Sequence, residues 1–496
     1  MMGRDPATPY DLAVIGAGVV GTAIARELAR YRLEVVLIEG GSDVGVGTSK
    51  ANTAILHTGF DANPGSLESK LVRRGSELLH KLGPDLGIPI EHTGAVLVAW
   101  NETELAELDP IQEKARANGY EVTVRLTAED VYRLEPYLGP RAMAGIAVPD
   151  ESIVCPFTAS LAFATQAVAN GVTLLLDSRV IGVTAGLTGH TIELSGGRRL
   201  EARWIVNAAG LNSDIIDGYL GHHRFTVTPR RGELIVFDKL ARRLIDHVLL
   251  PIPTKIGKGV LVAPTAYGNV MLGPTAEDLD DKLATGSSAA GISGLWAKGQ
   301  RIMPRLLDEE VTSVYAGLRA ATEHSDYQLF LEADERYLCV GGIRSTGLTA
   351  SLGIAEHVAG LLKGAGVRLD EKPDFVPVKM PNIGEARPRP YQSVEAIARD
   401  RDYGRIVCHC ERVTKGEIRD AMRTTIPARS VDALRRRTRA QSGRCQGFFC
   451  AAEVDEMLAA GTGQSIESIL VLVPPGAGAA PGVAKDTKPA MAGALR

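Results

Sequence analysis

The sequence predicts an α/β fold with a small helical domain appended towards its C-terminal end. Three observations predict it. An apolar, strand-like run at residues 12–15 opens into Gly16-Ala17-Gly18-Val19-Val20-Gly21 and then into a helix-like stretch at 22–30. Paired apolar runs with turn residues between them, at 230–237 and across 259–275, read as antiparallel strands interleaved with that first unit. Four of the six cysteines fall two by two between Cys408 and Cys450, as C-H-C and C-Q-G-F-F-C.

Bulk properties bound the rest. A chain of 496 residues suggests about three domains. A net charge of −4 argues against general nucleic-acid binding, which needs a dominant basic surface. Residues 1–10 carry no charged segment leading into an apolar run, so no secretion signal is expected. The apolar stretch 12–20 is broken by glycines and too short to span a bilayer. The expectation is a cytoplasmic protein with no transmembrane segment, any membrane association coming through a partner.

The first unit has a defined physical reading. Residues 12–15 and 35–38 are apolar and rich in β-branched side chains, as buried parallel strands require. Gly16 permits the tight turn, Gly18 lets the backbone approach a pyrophosphate, and Gly21 lets helix and strand pack closely. The helix that follows offers free N–H groups and a positive dipole end to phosphates. Glu39, at the end of the second strand, is placed to accept hydrogen bonds from ribose hydroxyls and to repel a 2′-phosphate. Strand, glycine turn, helix and strand-end acid in this order make a Rossmann-like dinucleotide site, not a ligand-free turn.

The motif alone does not separate NAD from FAD. The stretch 45–60, G-V-G-T-S-K-A-N-T-A-I-L-H-T-G-F, is rich in glycine and small polar residues and can wrap an elongated flavin dinucleotide. With Thr48, Ser49, Asn52 and His57 it resembles the FAD-dependent oxidoreductases that include D-amino-acid oxidase and glycerol-3-phosphate dehydrogenase. Residues 176–183 (L-D-S-R-V-I-G-V) resemble the family strand whose backbone, near Val180, holds the adenine. Residues 205–214 (I-V-N-A-A-G-L-N-S-D), with Ala209 and Gly210, are similar to the second nucleotide-proximal motif. Residues 341–355, with Gly342, Thr346, Gly347 and Leu348, resemble the segment that closes over the ribityl chain and pyrimidine end of the flavin. The resemblance covers 10–365 and implies a Rossmann-like FAD-binding domain interleaved with an antiparallel-sheet substrate domain.

The hairpin across 259–275 and the G-L-R-A at 317–320 most resemble the glycerol-3-phosphate dehydrogenase branch. That resemblance implies Arg319 over the flavin, binding substrate, and His57 beside the isoalloxazine. Oxidising a secondary alcohol requires removal of its hydroxyl proton, for which imidazole is suited. A guanidinium can hold an alkoxide or a phosphate by paired hydrogen bonds. The alternative for His57 is a packing role. Lys258 and Arg344 are further anion-binding candidates, Arg231 reads as a strand-edge charge, and Cys155 and Cys339 as buried small hydrophobes.

Residues 366–403, proline-rich and without periodicity, read as a linker or an extended arm. From 404 to 465 a capping box at Thr414 and Glu417 and helix-like runs at 430–439 and 451–460 frame Cys408, Cys410, Cys445 and Cys450. Clustered thiolates in a chain otherwise poor in cysteine suit metal ligation better than disulfides. The arrangement resembles the bacterioferritin-associated-ferredoxin-like [2Fe–2S] domain, for which four thiolates suffice. A four-cysteine zinc site would use the same residues. Arg435, Arg436, Arg437, Arg439 and Arg444 read as a solvated face, the alternatives being cluster stabilisation or docking of an acidic acceptor. Residues 471–496, rich in Gly, Ala and Pro, read as a disordered tail.

The expectation is therefore a FAD- and [2Fe–2S]-dependent dehydrogenase. It would act on a small phosphorylated polyol, sn-glycerol 3-phosphate first, and pass electrons to a quinone or a partner redox subunit. The segment at 57–71 is similar to L-2-hydroxy-acid dehydrogenases of the 2-hydroxyglutarate type, so a hydroxy acid is the rival substrate. An electron-transfer subunit of a larger flavoprotein complex is the rival of another class.

Overall fold

The computed structural model describes residues 8–253, 259–385 and 387–470. Strand Tyr10–Ile15 lies inside an eight-stranded sheet, with parallel neighbours Val35–Ile38 on one side and Arg199–Asn207 on the other. Leu12 and Val14 enter one core while Ala13 and Ile15 enter another. Both faces are covered, which is why this run is apolar without alternation. Helices Val19–Leu28, Leu67–Leu86, Pro156–Ala169 and Gly347–Gly364 cover the Leu12 face. Tyr337–Gly341 joins the far half of Arg199–Asn207 in parallel, and Val180–Ala185 with His190–Leu194 adds an antiparallel edge.

A second, nine-stranded sheet is built almost wholly of antiparallel pairs. Its long pair, Thr228–Phe237 with Val311–Ala321, is flanked by the hairpin Leu261–Pro264 and Val270–Gly273. The chain enters this sheet between elements of the first, so the two are interleaved as expected. A third small sheet pairs Ile55–Leu56 and Ile90–Glu91 with Ser152–Val154.

Residues 366–403 lie as an arm across both halves. Arg32 N–H bonds Asp370 O, Met380 N–H bonds Leu86 O, and Glu385 N–H bonds Ala266 O. The last domain holds helices Lys415–Ala421, Val431–Thr438 and Ala451–Thr462 around Val407, Ile418, Leu434, Val454 and Leu458. Its first helix starts on the expected capping box, Thr414 with Glu417. Among the described residues no helix is long and apolar enough to cross a membrane. Lys258 and the tail 471–496 lie outside the described residues.

The arginine run departs from expectation. Arg436 and Arg437 are buried, not solvated, and both bond Asp43 of the glycine-rich loop. Lys50 pairs Asp432, Arg444 pairs Asp238, and Arg439 lies 4.1 Å over the Tyr267 ring. The charges that read as a solvent face instead hold the last domain against both larger ones.

Candidate functional site

The dinucleotide turn is packed to contact. Gly16 adopts φ +102°, and a Cβ there would meet Ala208 O at 2.5 Å, while one on Gly21 would meet Gly16 O at 1.9 Å. Gly18 differs, since its nearest neighbour would be Ser49 Oγ at 3.2 Å. Gly16 and Gly21 are thus required by the fold, and Gly18 keeps open the space a pyrophosphate would use. The first helix has no side-chain cap, and its Val19 N–H donates to Ser49 Oγ at 2.9 Å. The Val20 and Gly21 N–H groups have no carbonyl within the helix and are of the kind that an anion can satisfy.

Glu39 stands at the end of Val35–Ile38 and accepts from Ala17 N–H and Gly41 N–H, both at 2.8 Å. Burial pushes its carboxyl up, against the pull of those two N–H groups. Residues 178–180 run alongside, Ser178 N–H bonding Glu39 O. Ala209 and Gly210 follow Ala208, which comes just after strand Arg199–Asn207 and lies against Gly16.

Strand Val311–Ala321 lies directly over the glycine-rich loop. Thr48 Oγ1 donates to Leu318 O at 2.6 Å, and a Cβ on Gly317 would meet Ala51 O at 2.0 Å. Gly317 and Arg319 share a face of that strand, so Arg319 lies on the side turned to the loop. Its guanidinium reaches only Thr275 O, at 3.4 and 3.5 Å, and packs against Gly232. Burial first, then the charge of Arg230 opposite it in the register, push Arg319 below the usual arginine value. No carboxylate pairs with it among the described residues, which makes it a cation without its anion.

His57 follows strand Ile55–Leu56. Its N–H bonds Thr349 Oγ1 at 3.0 Å and its Nδ1 lies 3.0 Å from Glu151 Oε2. Thr349 is in the first turn of Gly347–Gly364, so His57 stands beside that helix start, together with Thr346, Gly347 and Leu348. A Cβ on Gly347 would lie 3.7 Å from Val20 Cγ2, so this helix start adjoins that of the first helix. Gly342, at φ +65°, packs on Gln328. Asn52 bridges the loop, donating to Ser49 O and accepting from Ala54 N–H.

Four other residues singled out from the sequence have their partners or packing within the protein. Arg344 has a carboxylate partner, Glu68 at 3.5 Å, and donates to Ser325 O, so unlike Arg319 it is already engaged. Arg231 is not an edge charge: its strand is paired on both sides, and it pairs Glu277 of one neighbour. Cys155 and Cys339 are fully buried, Cys155 lying 2.9 Å from Tyr267 OH. Glu151 was not singled out from sequence. It sits after Pro149-Asp150 in what reads as a polar turn, and only strand pairing across 94 residues reveals it.

The four C-terminal cysteines converge two and two. Cys408 bonds Cys450 and Cys410 bonds Cys445, each pair taking one residue from each motif. The hydrogen bond between them pulls the Cys408 thiol down and pushes the Cys450 thiol up. Backbone N–H groups of Glu411, Gln441, Gly447 and Phe449 point at the sulfurs, as thiolates bound to metal require. Among the described residues no three His, Cys, Asp or Glu side chains are grouped for one ion. Four thiols are the donor set of a two-iron cluster and of a four-cysteine zinc site alike. Phe448 and Phe449, between the last two ligands, are 90% and 79% exposed.

A family model for FAD-dependent oxidoreductases matches residues 11–361. The chain belongs to that family. A BFD-like [2Fe–2S] binding domain matches 406–460. The glycerol 3-phosphate dehydrogenase of Caloramator mitchellensis is 35% identical over 463 residues, 93% of this chain and 96% of that protein. The L-2-hydroxyglutarate dehydrogenase of Arabidopsis thaliana is 27% identical over 400 residues, 70% of this chain and 82% of that one. The solved structure of dithionite-reduced L-α-glycerophosphate oxidase from Mycoplasma pneumoniae, with FAD bound, superposes with a TM-score of 0.71 at 28% identity. It covers 76% of this chain and 100% of that one. The protein is thus a FAD-dependent oxidoreductase, with FAD held by its interleaved domains and a [2Fe–2S] cluster by its C-terminal domain.

Proposed function

We propose that this oxidoreductase converts sn-glycerol 3-phosphate to dihydroxyacetone phosphate, and that electrons leave by way of the [2Fe–2S] domain to a quinone or protein acceptor. The observation that carries the substrate is Arg319, a partly buried guanidinium with no anion, on the strand face that packs on the FAD loop. A planar fork binds phosphate by two parallel hydrogen bonds, and Arg230 adds positive potential beside it.

Gly16, Gly18, Gly21, Glu39, Thr48, Ser49, Asn52, Val180, Ala209 and Gly210 would hold the nucleotide portion of FAD. Gly342, Thr346, Gly347 and Leu348 would hold its pyrimidine end. Bound FAD supplies the two-electron oxidant that takes the carbinol hydrogen with its electron pair. His57 takes the hydroxyl proton, and Arg319 holds the phosphate so that the carbinol is oriented. Lys258 and Arg344 remain candidates for binding the anion, Arg344 only if Glu68 gives it up. Cys408, Cys410, Cys445 and Cys450 would hold the cluster.

A carboxylate would also satisfy Arg319, and the 2-hydroxyglutarate-type relative keeps L-2-hydroxy acids as the second reading. Anaerobic mixing with phosphorylated polyols and 2-hydroxy acids, followed by the yellow flavin absorbance, tests the choice. Rapid bleaching by glycerol 3-phosphate is the expected result. Bleaching only by 2-hydroxyglutarate would transfer the assignment to that branch, and no bleaching by any alcohol would point to an electron-transfer subunit.

A further inference from the structure

An imidazole accepts a proton only at a nitrogen that carries a lone pair, and the partner of the other nitrogen decides which one that is. In the small third sheet Ile55 pairs with Ile153 and Leu56 with Ser152. One step further along that antiparallel register, His57 comes to stand across from Glu151. The side chains meet, Nδ1 lying 3.0 Å from Oε2. The other oxygen, Oε1, accepts the Thr58 N–H at 2.7 Å and the Thr58 hydroxyl at 3.0 Å. Glu151 is 0% exposed, so these donors take the place of water around its charge. A carboxylate only accepts, so the nitrogen facing it must carry the proton.

We propose that Glu151 is the positioning residue for His57, fixing the Nδ1–H tautomer and presenting Nε2 with its lone pair to the substrate hydroxyl. This rests on the alcohol-oxidising function proposed above. In the step the O–H bond breaks towards Nε2 and the carbonyl forms. The carbinol hydrogen leaves with its electron pair to the bound flavin. The proton then rests on an imidazolium whose charge Glu151 balances, until solvent takes it. Asp150, His80, His92 and Tyr120 are the other titratable groups around the carboxylate, and none of them hydrogen-bonds His57. Burial pushes His80 down, so it stays neutral beside His92, with which it stacks at 5.2 Å.

Glu151→Gln isolates the role. Glutamine keeps an oxygen for Thr58 but turns an N–H to Nδ1, which favours the opposite tautomer. The variant is expected to retain FAD and to bleach with glycerol 3-phosphate about 10- to 100-fold more slowly, with little change in KM. The acid limb of its pH–rate profile moves to lower pH, because the imidazolium has lost its counter-charge. Glu151→Asp, which keeps the charge, recovers part of the rate. Nitrogen-15 NMR of the oxidised, substrate-free holoenzyme, with His57 assigned by its loss in His57→Asn, should show the proton on Nδ1. In Glu151→Gln it should appear on Nε2. A wild-type proton on Nε2, or a Glu151→Gln variant with the wild-type rate and acid limb, would overturn the proposal. If glycerol 3-phosphate fails to bleach the wild type, the substrate assignment falls, while the tautomer still decides the role of Glu151. Should Glu151→Gln lose FAD, the wild-type tautomer decides alone.

Discussion

Arg437, where the cluster domain meets the FAD loop, donates to both oxygens of buried Asp43 at 2.6 and 2.8 Å and to Ile426 O. Arg319, where the second sheet meets the same loop, has one long contact to a carbonyl and no carboxylate. Asp43 of the loop answers the guanidiniums of the cluster domain, and no carboxylate among the described residues answers Arg319. Taking a charge out of water is costly, and a partner offsets the cost. The Asp43 carboxyl would be pushed up by burial, but bonds and charge from Arg437 and Arg436 outweigh that and hold it below the usual carboxylate range. A saturated pair holds the fold together; a cation left open is available for an anion from outside.

Arg319→Met tests the open side most severely. Bleaching by glycerol 3-phosphate should fall by at least about 10²-fold in stopped-flow mixing, with FAD retained. The melting temperature should change little, because only the long contacts to Thr275 O are lost. Normal turnover with a lower melting temperature would reverse the two roles. Asp43→Ala tests the saturated side. It leaves buried Arg437 without a carboxylate and Arg436 with Asp432 alone, and breaking a buried pair in this way costs about 3–5 kcal/mol. The expected readout is faster proteolysis within residues 387–405 as the last domain loosens, with bleaching much closer to wild type than in Arg319→Met.

Acid provides the gentlest test. A carboxylate whose folded pKa is depressed contributes stability that is fully present above its unfolded value, about 3.9, and is lost as pH falls through the lower folded value. Domain docking, followed by the same proteolysis with an acid-tolerant protease, should therefore persist at pH 5 and weaken only well below pH 4 (both on the order set by that reference value). Loosening near neutrality would mean that another contact governs docking.

Most of the fold was legible because its signals are local. Gly16 and Gly21 are demanded by contacts within the same turn or with the adjoining strand. The capping box at Thr414 spans three residues, and the buried strand at 12–15 shows in its composition. The arginine run was misread for a physical reason. Composition reports charge but not what covers it, and Arg436 and Arg437 lie under a loop nearly 400 residues earlier. His57 was legible as a residue type in a flavin-like loop, but its partner was not. Nothing near Glu151 in the chain separates it from a turn acid.

By itself the sequence determined the dinucleotide turn, the interleaving of two sheets and the grouping of four cysteines, because each shows in residue type and pattern along the chain. Only the tertiary structure decided which charges are paired. Glu151 reaches His57 across 94 residues and Arg437 reaches Asp43 across 394. Arg319 is left open at the site. A buried charge is stabilised by whatever the fold brings within hydrogen-bonding distance, and no local pattern specifies that neighbour.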